Sequence, residues 1–517
     1  MSVIDTEVLV IGGGATGMGV VRDAAMRGFR SVLVERGDLG EGTTGRFHGL
    51  LHSGGRYVIK DPRSARECMA ENRILRSTLA DCIEDCGGLF VVTPWDDPAY
   101  ADNFMQGCRD AEIPVEELEI AEVLRREPRI NPDISRAFWV PDAAIDAWKT
   151  MWAHARSATE HGARILPYHR VTAMLRDNGR VTGARVENGS GEDITIHADM
   201  TVNATGAWAG KIASLAGIEG VEILAGRGIM IAMNHRLVNT VVNRCAMPGD
   251  GDILVPIRTV SVIGTTDERA ADPDGLEIPA SEIDEMLDSG EKLVPGFRKA
   301  RALRVWAGVR PLFTDLKEGV ADTRDVTRSH TLLDHRERDD VEGFLTITGG
   351  KVTTFRLMAE ETVDAVCRHL DVRRECRTHL EPLPDSEDSG HYWLGARVVE
   401  RERDLHDDQL FCECELVQRS TIERAVARRP TFNLDDLRRA LRVGMGPCQG
   451  GFCIYRMAGL LNDVANLDRA GANDALLNFL QERWKGVHPI LYGAQLRQAR
   501  LDDWLFQGLL DVEHLPA

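Results

Sequence analysis

The sequence predicts an α/β protein with a dinucleotide-binding βαβ unit at its front and a small helical domain at its rear. Three features carry that expectation. Gly12, Gly14 and Gly17 stand between a strand pattern and a helix pattern. Short apolar runs next to glycine turns return later in the chain, around Met200–Trp208 and Leu345–Arg356. Cys412, Cys414, Cys448 and Cys453 lie in a stretch whose apolar residues recur with helical spacing.

The front unit begins with Thr6–Ile11, a short apolar run suited to a buried parallel strand. Gly12 allows the tight turn, and Gly14 lets a pyrophosphate approach the backbone. Ala15 and Thr16 open a helix whose amino end faces the phosphates, while Gly17 lets that helix pack closely on the strand. A second strand, Arg30–Glu35, ends in an acid about 20 residues beyond the glycines, where Glu35 is placed to accept hydrogen bonds from a ribose. Arg36 is counted with the nucleotide contacts, although an exposed arginine reads more simply than a ligand for a 2′-phosphate.

The later run Met200–Trp208 carries Ala204, Thr205 and Gly206, a turn that resembles the one with which two-domain flavoproteins return to their FAD sheet. No second GxGxxG occurs, so reducing power is expected from a small substrate rather than from a nicotinamide. Between these elements, residues 42–57 are dense in glycine, hydroxyls, histidine and arginine. Such a stretch is a shaped loop, and close approach at its glycines suits a flat ring system. Thr43, Thr44, Gly45, His48, Gly49 and Leu50 are its expected cofactor contacts, and His48 and His52 are candidates for proton transfer.

Arg310 sits at the exit of a strand pattern, held extended by Pro311. Gly350, Lys351, Val352 and Thr353 form a glycine turn entering a helix, and Lys351 is one of only eight lysines. Glycines before it and threonines after it favour a phosphate or flavin contact.

At the rear, CxC followed by Cx4C supplies four thiolates, which suit zinc or an iron-sulfur cluster. Zinc sites favour CxxC knuckles, whereas this spacing resembles the [2Fe-2S] domain related to bacterioferritin-associated ferredoxin. Zinc is the alternative.

Composition limits the rest. At 517 residues the chain exceeds one core and should hold two or three domains. A net charge of -19 argues against nucleic acid. The first residues enter a strand pattern with no signal peptide, and no apolar run reaches membrane-spanning length, so the protein is expected in the cytoplasm. Eleven cysteines, an odd number, make no disulfide framework.

The segments GRFHGLLHSGGRY, IGTTD, WAGVRPL, TITGGKVTTFRLMAE and VGMGPCQGGFC, in this order and spread over nearly the whole chain, are similar to those of the catalytic A subunits of the anaerobic glycerol-3-phosphate dehydrogenase family. The resemblance implies a D-amino-acid-oxidase-like flavoprotein fold, with a substrate domain of mixed or antiparallel sheet, and FAD-dependent oxidation of sn-glycerol 3-phosphate to dihydroxyacetone phosphate. Electrons would pass through a [2Fe-2S] cluster and partner B and C subunits to a quinone. Carried onto matching positions, it makes Arg56, Tyr57, Arg310 and Lys351 the expected contacts to substrate, with His48, His52, Arg310 and Lys351 as catalytic candidates. Membrane contact would come only through the partners, on the inner face of the cell membrane. The expected domains are 1–381 for the flavoprotein, with its substrate part at 82–148 and 216–308, a linker at 382–408, the cluster domain at 409–465 and a helical tail at 466–517. An FAD amine or 2-hydroxy-acid dehydrogenase of the same fold is the alternative. A further alternative is a non-catalytic protein with an electron-transfer or scaffolding role.

Overall fold

A computed structural model describes residues 2–313, 329–386, 390–404, 408–428, 433–464 and 467–514. Its first sheet is centred on the strand Ser2–Ile11, which pairs in parallel with Ser31–Val34 on one side and Asp193–Asn203 on the other. Val8, Leu9 and Val10 are completely buried, as expected of a strand covered on both faces. Phe344–Gly349 extends the sheet beyond Asp193–Asn203. The helix Ala15–Met26 covers one face together with Phe355–His369, and the two approach closely at Gly19, where a Cβ would come within 2.9 Å of the Ala359 Cβ.

Among the described residues the second sheet has nine strands. Its long members, Ile223–Met233 and Ala302–Phe313, pair antiparallel, and their register sets Arg310 opposite Gly226. The expected substrate part ends at 308, but Ala302–Phe313 is one continuous strand, so Arg310 belongs to this second sheet. A three-stranded sheet of Leu50–Leu51, Ala143–Ile145 and Ile83–Glu84 brings the loop after the fingerprint back against the second sheet.

The rear of the chain has its own core, in which Phe411, Cys412, Leu437, Cys453 and Met457 pack together with Leu476, Phe479 and Phe506. The expected tail is therefore part of the cluster domain, because its apolar face completes that core. The expected linker carries a helix, Leu394–Asp404, while residues 387–389 and 405–407 of it lie outside the described residues. The rear domain is fastened to the front by buried charges: Arg439 bridges Asp38 and Asp436, each at 2.7 Å. Among the described residues no helix is long and apolar enough to cross a membrane.

Candidate flavin and substrate site

A cavity of about 1230 Å³ opens between the two sheets. Its walls begin at the fingerprint. Gly12, at φ +112°, lies so close to the Ala204 carbonyl that a Cβ would come within 2.7 Å of its oxygen. Gly14 ends the turn as the cap residue of the helix and, with Ala15 and Thr16, lines the cavity. The Thr44 hydroxyl accepts the Ala15 N–H at 2.9 Å, tying the loop after the second strand to the helix start. Glu35 lines the cavity while its carboxylate accepts the Gly13 N–H at 2.7 Å and the Gly37 N–H at 2.9 Å. Burial pushes its carboxyl above the ordinary range, and those two N–H groups oppose the shift. Arg36 stacks over Trp208, 4.5 Å from the ring centroid, and pairs with Asp274 at 2.7 Å, so its charge is engaged at the rim.

Thr43, Ala204, Thr205, Gly206, Gly350 and Val352 also line the cavity. Four expected cofactor contacts do not, and instead pack behind the lining. A Cβ on Gly17 would collide with the Gly12 carbonyl, and one on Gly45 with the Trp148 ring. Gly49, at φ +86°, packs on Ile257. The Thr353 hydroxyl is buried and accepts the His52 backbone N–H at 3.1 Å. Each has a packing or bonding partner inside the protein, a circumstance that spacing alone does not reveal.

The chemistry-bearing side chains gather on the cavity wall. The rings of His48 and His52 are 6.0 Å apart, Tyr57 lies 5.3 Å beyond His52, and the Lys351 Nζ stands 5.0 Å from the Tyr57 centroid. Burial, followed by the charges of Arg56 and Arg310, lowers His48 to about 3. Burial followed by His48, Arg56 and Lys351 holds His52 well below 6.5. Both imidazoles are neutral at neutral pH. The His48 Nδ1 accepts the Leu50 N–H at 3.2 Å, so the neutral ring carries its proton on Nε2.

The cations are held in place by residues that the sequence assigned no role of their own. Arg310 pairs with Asp267 at 2.9 Å and donates to the Thr265 hydroxyl and the Thr266 carbonyl, each at 3.0 Å. Arg56 pairs with Asp252 at 2.8 Å. The segment IGTTD contains three of these partners, but a pairing across 43 residues leaves no local signature. The wall also includes Arg46, Phe47, Lys60, Trp208 and Lys211, for which residue type alone carried no signal.

The glycine cradle, the capped helix start and Glu35 fit a dinucleotide, and the polar cluster beside them fits a small anionic substrate. The four rear cysteines also converge. Cys414 and Cys448 are 3.8 Å apart, and Cys412 and Cys448 push the Cys453 thiol far above its ordinary value. This donor set fits an iron-sulfur cluster. The other seven cysteines are free thiols, buried or half-buried.

Comparison with known proteins agrees with both cofactors. Residues 7–365 match the FAD dependent oxidoreductase family, and residues 410–463 match the BFD-like [2Fe-2S] binding domain. The chain is 43% identical to the A1 subunit of the anaerobic glycerol-3-phosphate dehydrogenase of Haloferax volcanii, over 99% of this chain and 92% of that one. It is 42% identical to the A subunit of the Escherichia coli enzyme, over 98% and 97% of the two chains. The fold is also that of the glycerol-3-phosphate dehydrogenase from Bacillus halodurans complexed with FAD, with a TM-score of 0.59 at 20% identity over 98% of this chain and 95% of that one. The chain belongs to the FAD dependent oxidoreductase family and, within it, to the A subunits of anaerobic glycerol-3-phosphate dehydrogenase, with a C-terminal [2Fe-2S] domain.

Proposed function

We propose that the protein oxidises sn-glycerol 3-phosphate to dihydroxyacetone phosphate, and that the electrons leave through the cysteine domain towards partner B and C subunits and a quinone. The observation that carries this reading is the convergence of Arg56, Arg310 and Lys351 on two neutral histidines in the cavity that begins at the dinucleotide fingerprint. FAD, when bound, supplies the acceptor for the hydride leaving C2.

The protein's own groups do the rest. The Arg310 guanidinium and the Lys351 ammonium hold the phosphate dianion, and this grip on the nonreacting end orients the secondary alcohol. His48, with its proton on Nε2, donates a hydrogen bond to developing negative charge. His52 takes the hydroxyl proton. Its basicity is depressed in part by Arg56 and Lys351, and a bound dianion offsets those charges. The Lys351 ammonium beside the Arg310 guanidinium suits a phosphate better than a single carboxylate, which favours this substrate over an amino acid or a 2-hydroxy acid.

Partner subunits supply any membrane contact, and the protein works at the inner face of the cell membrane. Anaerobic titration of the purified protein with glycerol 3-phosphate, an amino acid and a 2-hydroxy acid, watching the flavin band, tests the reading. Bleaching by glycerol 3-phosphate alone is the expected result. Bleaching by an amine or a 2-hydroxy acid alone would replace the reading with the corresponding dehydrogenase, and bleaching by none with a scaffolding role.

A further inference from the structure

Two redox sites in one chain need a fixed gap, and one short hairpin spans it. Its strands are Ile253–Ile257 and Val260–Gly264, joined by the two-residue turn Arg258-Thr259 with Arg258 at φ +54°. Four residue steps along the first strand cover about 14 Å. At the open end, Ile253 lines the cavity, and a Cβ on Gly264 would come within 3.1 Å of the His48 side chain. Further along, Ile257 packs on Gly49. The base of the hairpin is thus part of the wall behind the histidine loop.

The tip reaches the cysteine loops. The Thr259 hydroxyl donates to the Glu415 carboxylate at 3.2 Å, one residue after Cys414. A Cβ on Gly446, two residues before Cys448, would stand 3.3 Å from the same hydroxyl oxygen and would collide with Cys414. The Glu415 side chain is only 3% exposed, and its second oxygen accepts from the Arg442 Nε at 3.0 Å. Arg442 in turn lies 3.6 Å from Asp146, the cap of the front-domain helix Ala147–Glu160. Arg258 lies 4.0 Å from the same carboxylate oxygen. One buried carboxylate thus joins the first cysteine loop to the hairpin tip and, through Arg442, to the front domain, while Gly446 of the second loop lies against the tip itself.

We infer that Thr259 and Glu415 are positioning residues that fix the separation and orientation of the cysteine quartet relative to the flavin cavity, a task separate from ligating either group. The inference rests on the reading that both groups are bound. Arg439 with Asp38 fastens the same domain at another corner, so losing the hairpin contact loosens the cysteine loops without detaching the domain.

The test uses the full chain loaded with FAD and iron-sulfur cluster. Thr259→Val removes the hydroxyl at nearly constant volume, Thr259→Ser restores it, and Glu415→Gln keeps the shape while removing the charge. In T259V, amide hydrogen exchange at residues 412–416 and 446–448 should rise by about tenfold, the effect of one lost hydrogen bond to a buried charged group. After anaerobic mixing with glycerol 3-phosphate, the flavin should bleach at the unaltered rate while cluster bleaching lags behind it. T259S should restore both signals, and E415Q should resemble T259V. Unchanged exchange and unchanged cluster filling in both T259V and E415Q would overturn the inference. If the substrate fails to bleach even the unaltered protein, the functional reading fails instead. Light-driven reduction of the flavin then tests the hairpin by itself.

Discussion

Arg310 and Asp267 form a 2.9 Å ion pair in the wall of the cavity, with the aspartate side chain 6% exposed and the guanidinium reaching on to Thr265 and Thr266. The aspartate fixes the direction of the arginine fork, and a fork is useful to a phosphate only in a fixed direction. Asp267→Asn should therefore act on substrate use through Arg310. Loss of one charge-assisted bond, about 1.5–3 kcal/mol, lowers kcat/KM for glycerol 3-phosphate by roughly ten- to a hundredfold. Steady-state kinetics with an artificial acceptor measures it, and an unchanged kcat/KM would remove Asp267 from the site.

The buried histidines make stability depend on pH. His48 and His154 are both lowered from 6.5 to about 3, in each case first by burial. Between those values the unfolded chain binds protons that the folded one refuses. Stability is therefore complete above about pH 6.5 and declines as pH falls towards 3. His154 lies outside the cavity, its Nδ1 hydrogen-bonded to the Thr150 carbonyl at 2.8 Å, which permits a clean probe. Calorimetry from pH 7 to pH 4 should give a falling Tm, with a shallower slope in His154→Gln. Equal slopes in the two proteins would contradict the assignment.

Gly17→Ala places a methyl group against the Gly12 carbonyl, and Gly12 is itself pressed on Ala204. No flexible side chain is available to give way. Overpacking of this kind costs about 1–3 kcal/mol. Because the same turn forms the nucleotide cradle, the variant should purify with a reduced ratio of flavin to protein as well as a lower Tm. Full flavin content at an unaltered Tm would show that the turn tolerates a side chain.

Cys448→Ser removes one of four converging thiols and should abolish the cluster's visible absorbance and its electron paramagnetic resonance signal on reduction. Flavin bleaching by substrate should persist, since among the described residues the cavity wall does not include the cysteine loops. Loss of both signals together would mean that the cluster domain is needed to assemble the flavin site.

Local features were legible from residue order because their physics is local. Gly12, Gly14 and Glu35 act within one strand-turn-helix-strand unit, and the CxC and Cx4C pairs are short-range spacings that few other sites require. Arg310 and Lys351 stood out because Pro311 and the glycine turn shape their immediate backbone.

Residue order alone was enough to point to a nucleotide fold and a four-thiolate site, and through the family resemblance to a cation-bearing pocket. Which partners those residues meet was decided only once the chain was folded. Folding packed Gly17, Gly45, Gly49 and Thr353 behind the cavity lining, paired Arg310 with Asp267 and Arg56 with Asp252, and brought Thr259 to Glu415 across 156 residues. The reason is that a turn or a ligand spacing is set by neighbours along the chain. An ion pair or a packing contact between strands depends on register and on how sheets and domains close, which no short stretch of sequence specifies.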